Sequence, residues 1–359
     1  MTATHAKANL PAVKKKDLKS MMKPGPKNLI TDVDGIQVGN AEDREVFTGV
    51  TAIVPDTAAV GAVDVRGGGP GTRETEVLSP DCLVDRVNAI VLSGGSVYGL
   101  EAASGAVMAL AKQGRGYTNK GICVPIVPSA ILFDLGNSGD KNWGDMPPYR
   151  HLGWVATENV STDFPLGNVG AGYGAAAGKY KGGLGSASLV HESGVQVGAV
   201  VAVNPVGSVL IPGTHYFWAW AFEQDGEFGG LGAPHLAGDI SLDMPKDSRL
   251  AENTTIAVVA TNVTLTKSEA KRVAIMAHDG LARAIRPVHS PFDGDSIFTL
   301  STEKKEMDGP RPLGLAKIGA MAADCVARAV ARGVYNAESL GGLPGYKSEF
   351  MKNLHKGES

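Results

Sequence analysis

The sequence predicts a layered α+β fold. Candidate strands and helices both occur along the 359 residues, but they do not alternate in the strict order of a parallel α/β sheet. The 47 glycines cluster near predicted turns, and the candidate strands between them are short. With 43% apolar residues the chain can build a sizeable core. These features favour two sheets sandwiched between helices.

Short runs rich in β-branched and apolar residues, bounded by turn residues, predict the strands. They cover residues 49–54, 59–65, 87–92, 121–127, 195–203, 255–259 and 296–301.

Three stretches predict helices. Residues 97–112 follow a glycine turn, and residues 313–332 carry apolar side chains at helical spacing. Thr266 and Glu269 form the sequence pattern of a capping box, so a helix should begin there and run to about Ala284.

The chain divides into three parts. Residues 1–27 are Lys-rich and end near Pro24 and Pro26, which predicts a flexible leader. Residues 28–340 form a single domain, and residues 341–359 a loose tail. Within the domain, residues 136–168 predict a surface excursion and residues 213–250 a long loop.

The composition argues against several classes of function. A net charge of -3 gives no reason to expect nucleic acid or a charged membrane surface as a partner. Neither a signal peptide nor a membrane-spanning apolar run is visible, so we expect a cytoplasmic protein. Three widely spaced cysteines argue against a disulfide scaffold or a zinc knuckle, and we expect them to be buried in a reducing compartment.

The strand at residues 255–259 begins next to Asn253 and Thr254. A threonine at the start of a chain can use its own α-amine as the base that activates its hydroxyl. A threonine can reach that position by attacking the carbonyl group before it, after which the ester hydrolyses. We therefore hypothesise that the chain cleaves itself between Asn253 and Thr254, which releases residues 1–253 and 254–359.

Asp293 and Asp295 precede the strand at residues 296–301. If a hairpin-like return brings that strand beside residues 255–259, both carboxylates can orient Thr254 from one face. An exposed Asp-Gly turn and a calcium loop are the alternatives.

Other candidates have two interpretations each. Asn204 ends a strand before Pro205 and can donate to an oxyanion or simply form a turn. Lys179 follows a run of small residues and is either held in a crowded place or on the surface. The glycine-rich residues 66–75 are a pocket wall or a tight loop, and residues 93–96 are an anion-binding or a packing turn.

Several motifs resemble the DmpA-type aminopeptidase family of self-cleaving N-terminal-threonine hydrolases, in particular its nylon-oligomer (6-aminohexanoate-oligomer) endohydrolases. The similarity spans about residues 28–332. The matching pieces are RGGGPGTRET at 66–75, SGGSVYGLEA at 93–102, AGK at 177–179, NPVG at 204–207, NTTI at 253–256, TNV at 261–263, and DGD with IF at 293–298.

The resemblance implies a four-layer αββα sandwich, similar to N-terminal-nucleophile hydrolases but differently connected. It implies Thr254 as nucleophile, Asp293 and Asp295 as its positioning residues, and Lys179 and Asn204 in the site. It also implies a homotetramer of cleaved protomers with no metal and no organic cofactor. Phe133 stands where the nylon hydrolases suggest a tyrosine, so a hydroxyl that would contact substrate or an oxyanion is absent.

The expected function is therefore hydrolysis of linear amide bonds in a small-molecule or oligomeric substrate such as a 6-aminohexanoate oligomer. An aminopeptidase of the same family, acting on peptides with free N-termini, is one alternative. An unprocessed binding or scaffold protein is another, and an acyltransferase a more distant one.

Overall fold

The computed structural model describes residues 22–234 and 253–354, with side chains to residue 350. Residues 1–21, 235–252 and 355–359, which include most of the predicted leader and part of the loop at 213–250, lie outside the described residues. No helix in the described ranges is long and apolar enough to cross a membrane.

The described residues form sixteen strands and five α-helices. The strands are β1 Met22–Lys23, β2 Ile36–Asp43, β3 Thr48–Pro55, β4 Ala59–Val65, β5 Thr72–Arg73, β6 Arg86–Val87, β7 Ile90–Ser93, β8 Tyr117–Asn119, β9 Ile122–Val124, β10 Ser129–Ile131, β11 Ala176–Ala177, β12 Tyr180–Lys181, β13 Gly183–His191, β14 Gln196–Val203, β15 Ile256–Val263 and β16 Ser296–Lys305. The helices are α1 Glu101–Lys112, α2 Tyr149–Glu158, α3 Lys267–Ala284, α4 Arg311–Asn336 and α5 Tyr346–Leu354. Short 3-10 helices cover Ile30–Asp32, Glu76–Leu78, Ser96–Leu100, Gly170–Gly172 and Trp218–Phe222.

Two sheets stack face to face. The larger has the strand order β1-β13-β14-β15-β16-β4-β6, and the smaller has the order β2-β3-β7-β10-β5. Strands β8 with β9 and β11 with β12 form separate two-stranded pairs.

Three apolar cores separate four layers. One core lies between α3, α4 and the larger sheet, a second lies between the two sheets, and a third lies between the smaller sheet and α1 with α2. The inner strands are buried on both faces, which is why β3, β14 and β15 read as nearly continuous apolar runs. The predicted αββα layering is therefore confirmed.

The predicted capping box is present at the start of α3. The Thr266 side chain accepts from the backbone N–H of Glu269, the Glu269 side chain accepts from the N–H of Thr266, and the helix ends at Ala284. Strands β15 and β16 are neighbours as expected, with Ile256 opposite Ser296. They run parallel, with α3 as the crossover connection that parallel neighbours need, so the predicted hairpin-like return is wrong.

Residues 136–168 are more than a surface excursion. They contain α2, which packs against α1 and completes the outer layer. The helix follows Pro148 and carries Gly153 in its middle, so its sequence favours a loop over a helix. A Cβ atom at Gly153 would collide with the backbone of Ala102, so the glycine is what allows the two helices to approach.

The expectation of a loose tail does not hold for residues 346–354, which form α5. Tyr346 is buried there, its ring lies 4.8 Å from that of Phe217, and its hydroxyl donates to the carbonyl of His215 at 2.8 Å. At the other end, Met22 and Lys23 pair with β13. The three-part division of the chain otherwise stays a prediction.

Other expectations are corrected in detail. Residues 87–92 are split between β6 and β7, and residues 121–127 contribute only β9, which pairs with β8 outside the main sheets. Cys325 is buried, but Cys82 is exposed and Cys123 is partly exposed, so only one of the three cysteines is a core residue.

Candidate active site

The candidate residues meet at one edge of the larger sheet. Strand β14 is antiparallel to β15, and β16 is parallel to β15. The end of β14 and the starts of β15 and β16 therefore lie side by side. This register brings together Asn204, Thr254, Asp293 and Asp295, because each stands just outside one of these strand ends.

Thr254 is buried at this edge, with 3% of its surface exposed. Its backbone N–H donates to the carbonyl of Asn204 at 2.7 Å. Its Oγ1 accepts from the backbone N–H of Gly294 at 2.9 Å and donates to the carbonyl oxygen of Asn253. The hydroxyl thus lies against the carbonyl group that the hypothesis requires it to attack.

The two aspartates act on the neighbouring main chain. Asp295 Oδ1 accepts from the N–H of Thr255 at 2.8 Å, and Asp293 Oδ1 accepts from the N–H of Val206 at 3.1 Å. Both side chains are 1% exposed, which excludes the exposed-turn interpretation. Burial, and secondly the charge of Asp295, raise the pKa of Asp293.

The calcium-loop alternative gains no support. Within residues 22–234 and 253–354, no group of three or more His, Cys, Asp or Glu side chains could hold a metal ion. The second oxygens of both aspartates also accept from protein donors, which are Ser290 for Asp293 and His289 for Asp295.

The backbone of the glycine-rich loop at residues 66–69 is hydrogen-bonded to the segment 293–295. The N–H of Gly69 donates to the carbonyl of Asp293 at 2.8 Å, and the N–H of Arg66 donates to that of Asp295 at 2.9 Å. A Cβ atom at Gly67 would collide with the backbone of Asp293 and Asp295. The tight-loop interpretation applies at Gly67, where only glycine allows so close an approach. The pocket-wall interpretation applies at Gly69, which lines the smaller cavity at Thr254.

The glycine turn at residues 93–96 offers no free anion site. The N–H groups of Gly94 and Ser96 donate to backbone carbonyls, and the N–H of Gly95 donates to Asp134 Oδ1 at 2.7 Å. The packing interpretation is therefore correct, with Asp134 as the acidic partner of the turn.

Asn204 closes one side of the site. Its Oδ1 accepts from the N–H of Ala176 at 2.8 Å, and its Nδ2 donates to the carbonyl of Phe133 at 3.0 Å. The side chain is 2% exposed, and its orientation is fixed by both bonds.

The two lysines two residues apart have different surroundings. Lys179 lies in the turn between β11 and β12, is exposed, and is not among the residues that line the two cavities at the site. Lys181 is 1% exposed, and its Nζ donates to the carbonyls of Gly172, Ala175 and Gly182 at 2.9 to 3.1 Å.

Lys181 faces the larger of the two cavities. Burial lowers the pKa of Lys181 to about 7. Its three carbonyl acceptors match the three N–H bonds of the ammonium form, so these hydrogen bonds stabilise the protonated amine against the cost of burial.

The larger cavity, of about 540 Å³, is lined by Lys181, Asp134 and Asn204 among others. A smaller one, of about 150 Å³, reaches Thr254 itself and is otherwise walled partly by apolar side chains such as Ile131 and Phe292. Asn253 and Phe133 line both cavities, so the two spaces meet at the predicted cleavage site.

Sequence reasoning missed three groups here: Lys181, Asp134 and His289. Lys181 could have been considered because it lies two positions from Lys179. Asp134 directly follows Phe133, but an aspartate after a strand carries no distinctive pattern. His289 is a lone histidine between two prolines, so nothing in the sequence sets it apart.

Comparison with known proteins gives the same family as the motifs. Residues 28–348 match peptidase family S58. An uncharacterized aminopeptidase of Mycobacterium tuberculosis (strain ATCC 25618 / H37Rv) is 41% identical over 343 residues, which cover 90% of this chain and 98% of that protein. A 6-aminohexanoate-oligomer endohydrolase of Kocuria sp. (strain KY2) is 31% identical over 315 residues, which cover 84% of this chain and 82% of that protein.

Solved structures agree on the fold. The L-aminopeptidase D-Ala-esterase/amidase of Ochrobactrum anthropi matches with a TM-score of 0.63 at 23% identity, over 90% of both chains, and its structure is described as a new variant among the Ntn hydrolase fold. A β-aminopeptidase of Burkholderia sp. matches with a TM-score of 0.64 at 21% identity, over 93% of this chain and 95% of that one. The chain therefore belongs to peptidase family S58.

Proposed function

We propose that the chain is an autoprocessed amidohydrolase whose nucleophile is Thr254. It cleaves itself between Asn253 and Thr254 and then hydrolyses linear amide bonds, such as those of 6-aminohexanoate oligomers. The observation that carries the proposal is the contact of Thr254 Oγ1 with both the Asn253 carbonyl oxygen and the N–H of Gly294 at 2.9 Å.

Self-cleavage begins when Thr254 Oγ1 attacks the carbonyl carbon of Asn253. The C–N bond breaks, the Thr254 nitrogen takes a proton, and an ester joins Asn253 to the threonine oxygen. Water then hydrolyses the ester and leaves a carboxylate on Asn253 and a free amine on Thr254. The 2.7 Å bond to the Asn204 carbonyl is placed to hold that nitrogen throughout.

Turnover uses the new amine as the base. It accepts the Thr254 hydroxyl proton while the oxygen attacks the substrate carbonyl, and the proton then passes to the departing amine. Water hydrolyses the acyl ester in the second half of the reaction. The N–H of Gly294 steadies the threonine oxygen, and Asp295 holds the next peptide N–H, that of Thr255, at 2.8 Å.

Charge that develops on the substrate oxygen needs donors on the cavity side. Asn204 and Lys181 both line the larger cavity, so the Asn204 amide is the candidate donor and Lys181, when protonated, adds a positive charge nearby. We therefore propose for Lys181 the role that the family resemblance implies for Lys179, because Lys181 lines the cavity and Lys179 lies exposed in a turn.

The shape of the site favours a substrate with chain on both sides of the scissile bond. Asn253 and Phe133 separate two cavities, and release of Asn253 after self-cleavage would join them around Thr254. An extended oligomer fits such a cleft, in keeping with the activity in the name of the Kocuria relative. Phe133 offers this substrate an apolar ring without a hydroxyl.

An aminopeptidase is the second candidate. It is supported by the naming of the mycobacterial relative, which is 41% identical. Parallel assays with a 6-aminohexanoate oligomer and an aminoacyl p-nitroanilide separate the two functions, because only the aminopeptidase should prefer the second.

We also propose that cleaved protomers assemble into a homotetramer in the cytoplasm.

Intact-mass measurement of purified wild type, Thr254→Ala and Thr254→Ser tests the nucleophile. We expect fragments 1–253 and 254–359 from wild type and Thr254→Ser, because serine retains a hydroxyl. Thr254→Ala should stay one chain and lose roughly 10³-fold or more in amide hydrolysis. An uncut wild type would favour the binding or scaffold alternative, and a cleaved Thr254→Ala would remove Thr254 as the nucleophile.

A further inference from the structure

His289 contacts Asp295 and has no role in the proposed mechanism. His289 donates twice to Asp295 Oδ2, from its backbone N–H at 3.0 Å and from its ring Nδ1 at 2.8 Å. The other carboxylate oxygen, Oδ1, accepts from the N–H of Thr255 at 2.8 Å. A chain of hydrogen bonds thus runs from His289 through Asp295 to the residue next to Thr254.

The backbone of His289 adopts an unusual conformation where it makes this contact. Its φ is +54°, in the left-handed region that is unfavourable for a residue with a side chain. This conformation allows the backbone N–H and the ring to face the same oxygen. Such strain persists when surrounding contacts hold it, and it is often found at functional sites.

The surroundings orient the ring. Its Nδ1 faces an acceptor oxygen of Asp295, so the contact is made by the tautomer that donates from Nδ1. Among the described residues, the buried Nε2 has no partner. The ring of His278 packs against it edge to face, with centroids 4.8 Å apart. Burial lowers the pKa of His278 to about 4, so this neighbour is neutral at pH 7.

We propose that His289 is a positioning residue for the reaction: its two donors fix the Asp295 carboxylate, which in turn fixes the main chain at Thr254. The inference rests on the proposed function, because it assumes that Thr254 is the nucleophile. It adds a residue whose ring touches neither Thr254 nor the cavity that reaches it.

Two substitutions separate the hydrogen bond from the bulk of the ring. His289→Phe keeps a ring against His278 and the backbone N–H donor, but it removes the Nδ1 donor. His289→Asn removes the ring but places an N–H near the position of Nδ1, and asparagine tolerates a positive φ. His191→Phe is the control, because it removes another Nδ1 hydrogen bond, in which Nδ1 accepts from the backbone N–H of Ser193 in an exposed turn at the far end of β13.

We expect His289→Phe to slow self-cleavage and to lower kcat by about 10- to 100-fold, with KM nearly unchanged. His289→Asn should recover most of both rates, and His191→Phe should match wild type. Adding Asp295→Asn to His289→Phe should cost little more, because both changes break one chain of contacts. Thermal unfolding of each variant verifies that it is folded.

Two results would overturn the inference: wild-type rates in His289→Phe, or equal loss in His289→Asn and His289→Phe. If Thr254→Ala is inactive while His289→Phe behaves as wild type, only the role of His289 fails. If Thr254→Ala still cleaves itself and hydrolyses amides, the proposed function itself fails.

Discussion

Asp134 is a buried carboxyl group, and its ionisation lowers the stability of the folded state. It is 3% exposed and accepts from Thr48 Oγ1 and the N–H of Gly95, both at 2.7 Å. Burial outweighs these bonds and raises its pKa from 3.8 to about 6. The folded state therefore holds this proton more tightly than the unfolded chain, and stability is lost as the pH rises from 3.8 towards 6 and above.

Asp134→Asn should remove this loss. The pKa shift corresponds to about 3 kcal/mol, so the stability of wild type relative to the variant should fall by that order between pH 4 and pH 7. Urea denaturation of both proteins across this range measures it, with Asp85→Asn at an exposed position as the control for net charge. A constant difference across the range would contradict the buried-carboxyl interpretation.

At the scale of single residues, the sequence alone predicts only part of the candidate site. Strand prediction places Asn204, Asp293 and Asp295 next to strand ends, but it does not bring them to Thr254. The order β14-β15-β16 in the larger sheet does that, and only the family resemblance pointed to it. Lys179 and Lys181 could not be separated, because only the position of the turn between β11 and β12 decides which lysine faces inward. The contact of His289 with Asp295 depends on a backbone conformation that no sequence pattern announces.

Among the elements, the loop at residues 66–69 has the most direct effect on the site. It lies against the segment whose central residue, Gly294, donates to Thr254 Oγ1. Gly67→Ala would push a Cβ atom into the backbone of that segment, whereas a Cβ atom at Gly69 meets nothing nearer than 3.7 Å. The two glycines thus form a matched pair within one loop.

We expect Gly67→Ala to slow self-cleavage by about tenfold or more, which corresponds to a barrier increase of about 1.4 kcal/mol. Gly69→Ala should cleave like wild type. Intact-mass time courses after cell-free synthesis compare the two. Equal rates in both variants would show that the loop does not position the segment.

Elements with strong local signals were predictable. Helix α3 has a capping box and an apolar face, and β14 and β15 are apolar throughout. Helix α2 was missed because its length of 10 residues, its central glycine and the preceding prolines all weaken the helical signal, and packing on α1 stabilises it instead. The pairing of β15 with β16 in parallel depended on the path of α3, which local sequence does not specify.

At the scale of the whole molecule, the two expected fragments share one core. A buried ion pair joins Glu227, before the predicted cut, to Arg328 after it at 2.6 Å, and Arg332 lies 3.4 Å from the same carboxylate. The Arg328 side chain is 1% exposed and that of Glu227 7%. Removing the carboxylate would leave two guanidinium groups without their acidic partner in the interior.

Glu227→Gln should therefore destabilise the protein by about 3 to 5 kcal/mol. Glu303→Gln is the matched control, because Glu303 pairs with Arg86 where the side chains are 26% and 48% exposed, and its loss should cost at most about 1 kcal/mol. Denaturant unfolding of both variants measures the difference. Similar losses in the two would mean that burial does not set the strength of these pairs.

The position of β15 between β14 and β16 also sets an order of events during synthesis. Gly294, whose N–H meets Thr254 Oγ1, follows that threonine by 40 residues, and α3 must form between them. When Thr254 has just been added to the growing chain, the residues that orient it have not yet been synthesised. The proposed self-cleavage would therefore wait until the last strand of the sheet has been translated and inserted, which protects the growing chain from premature scission.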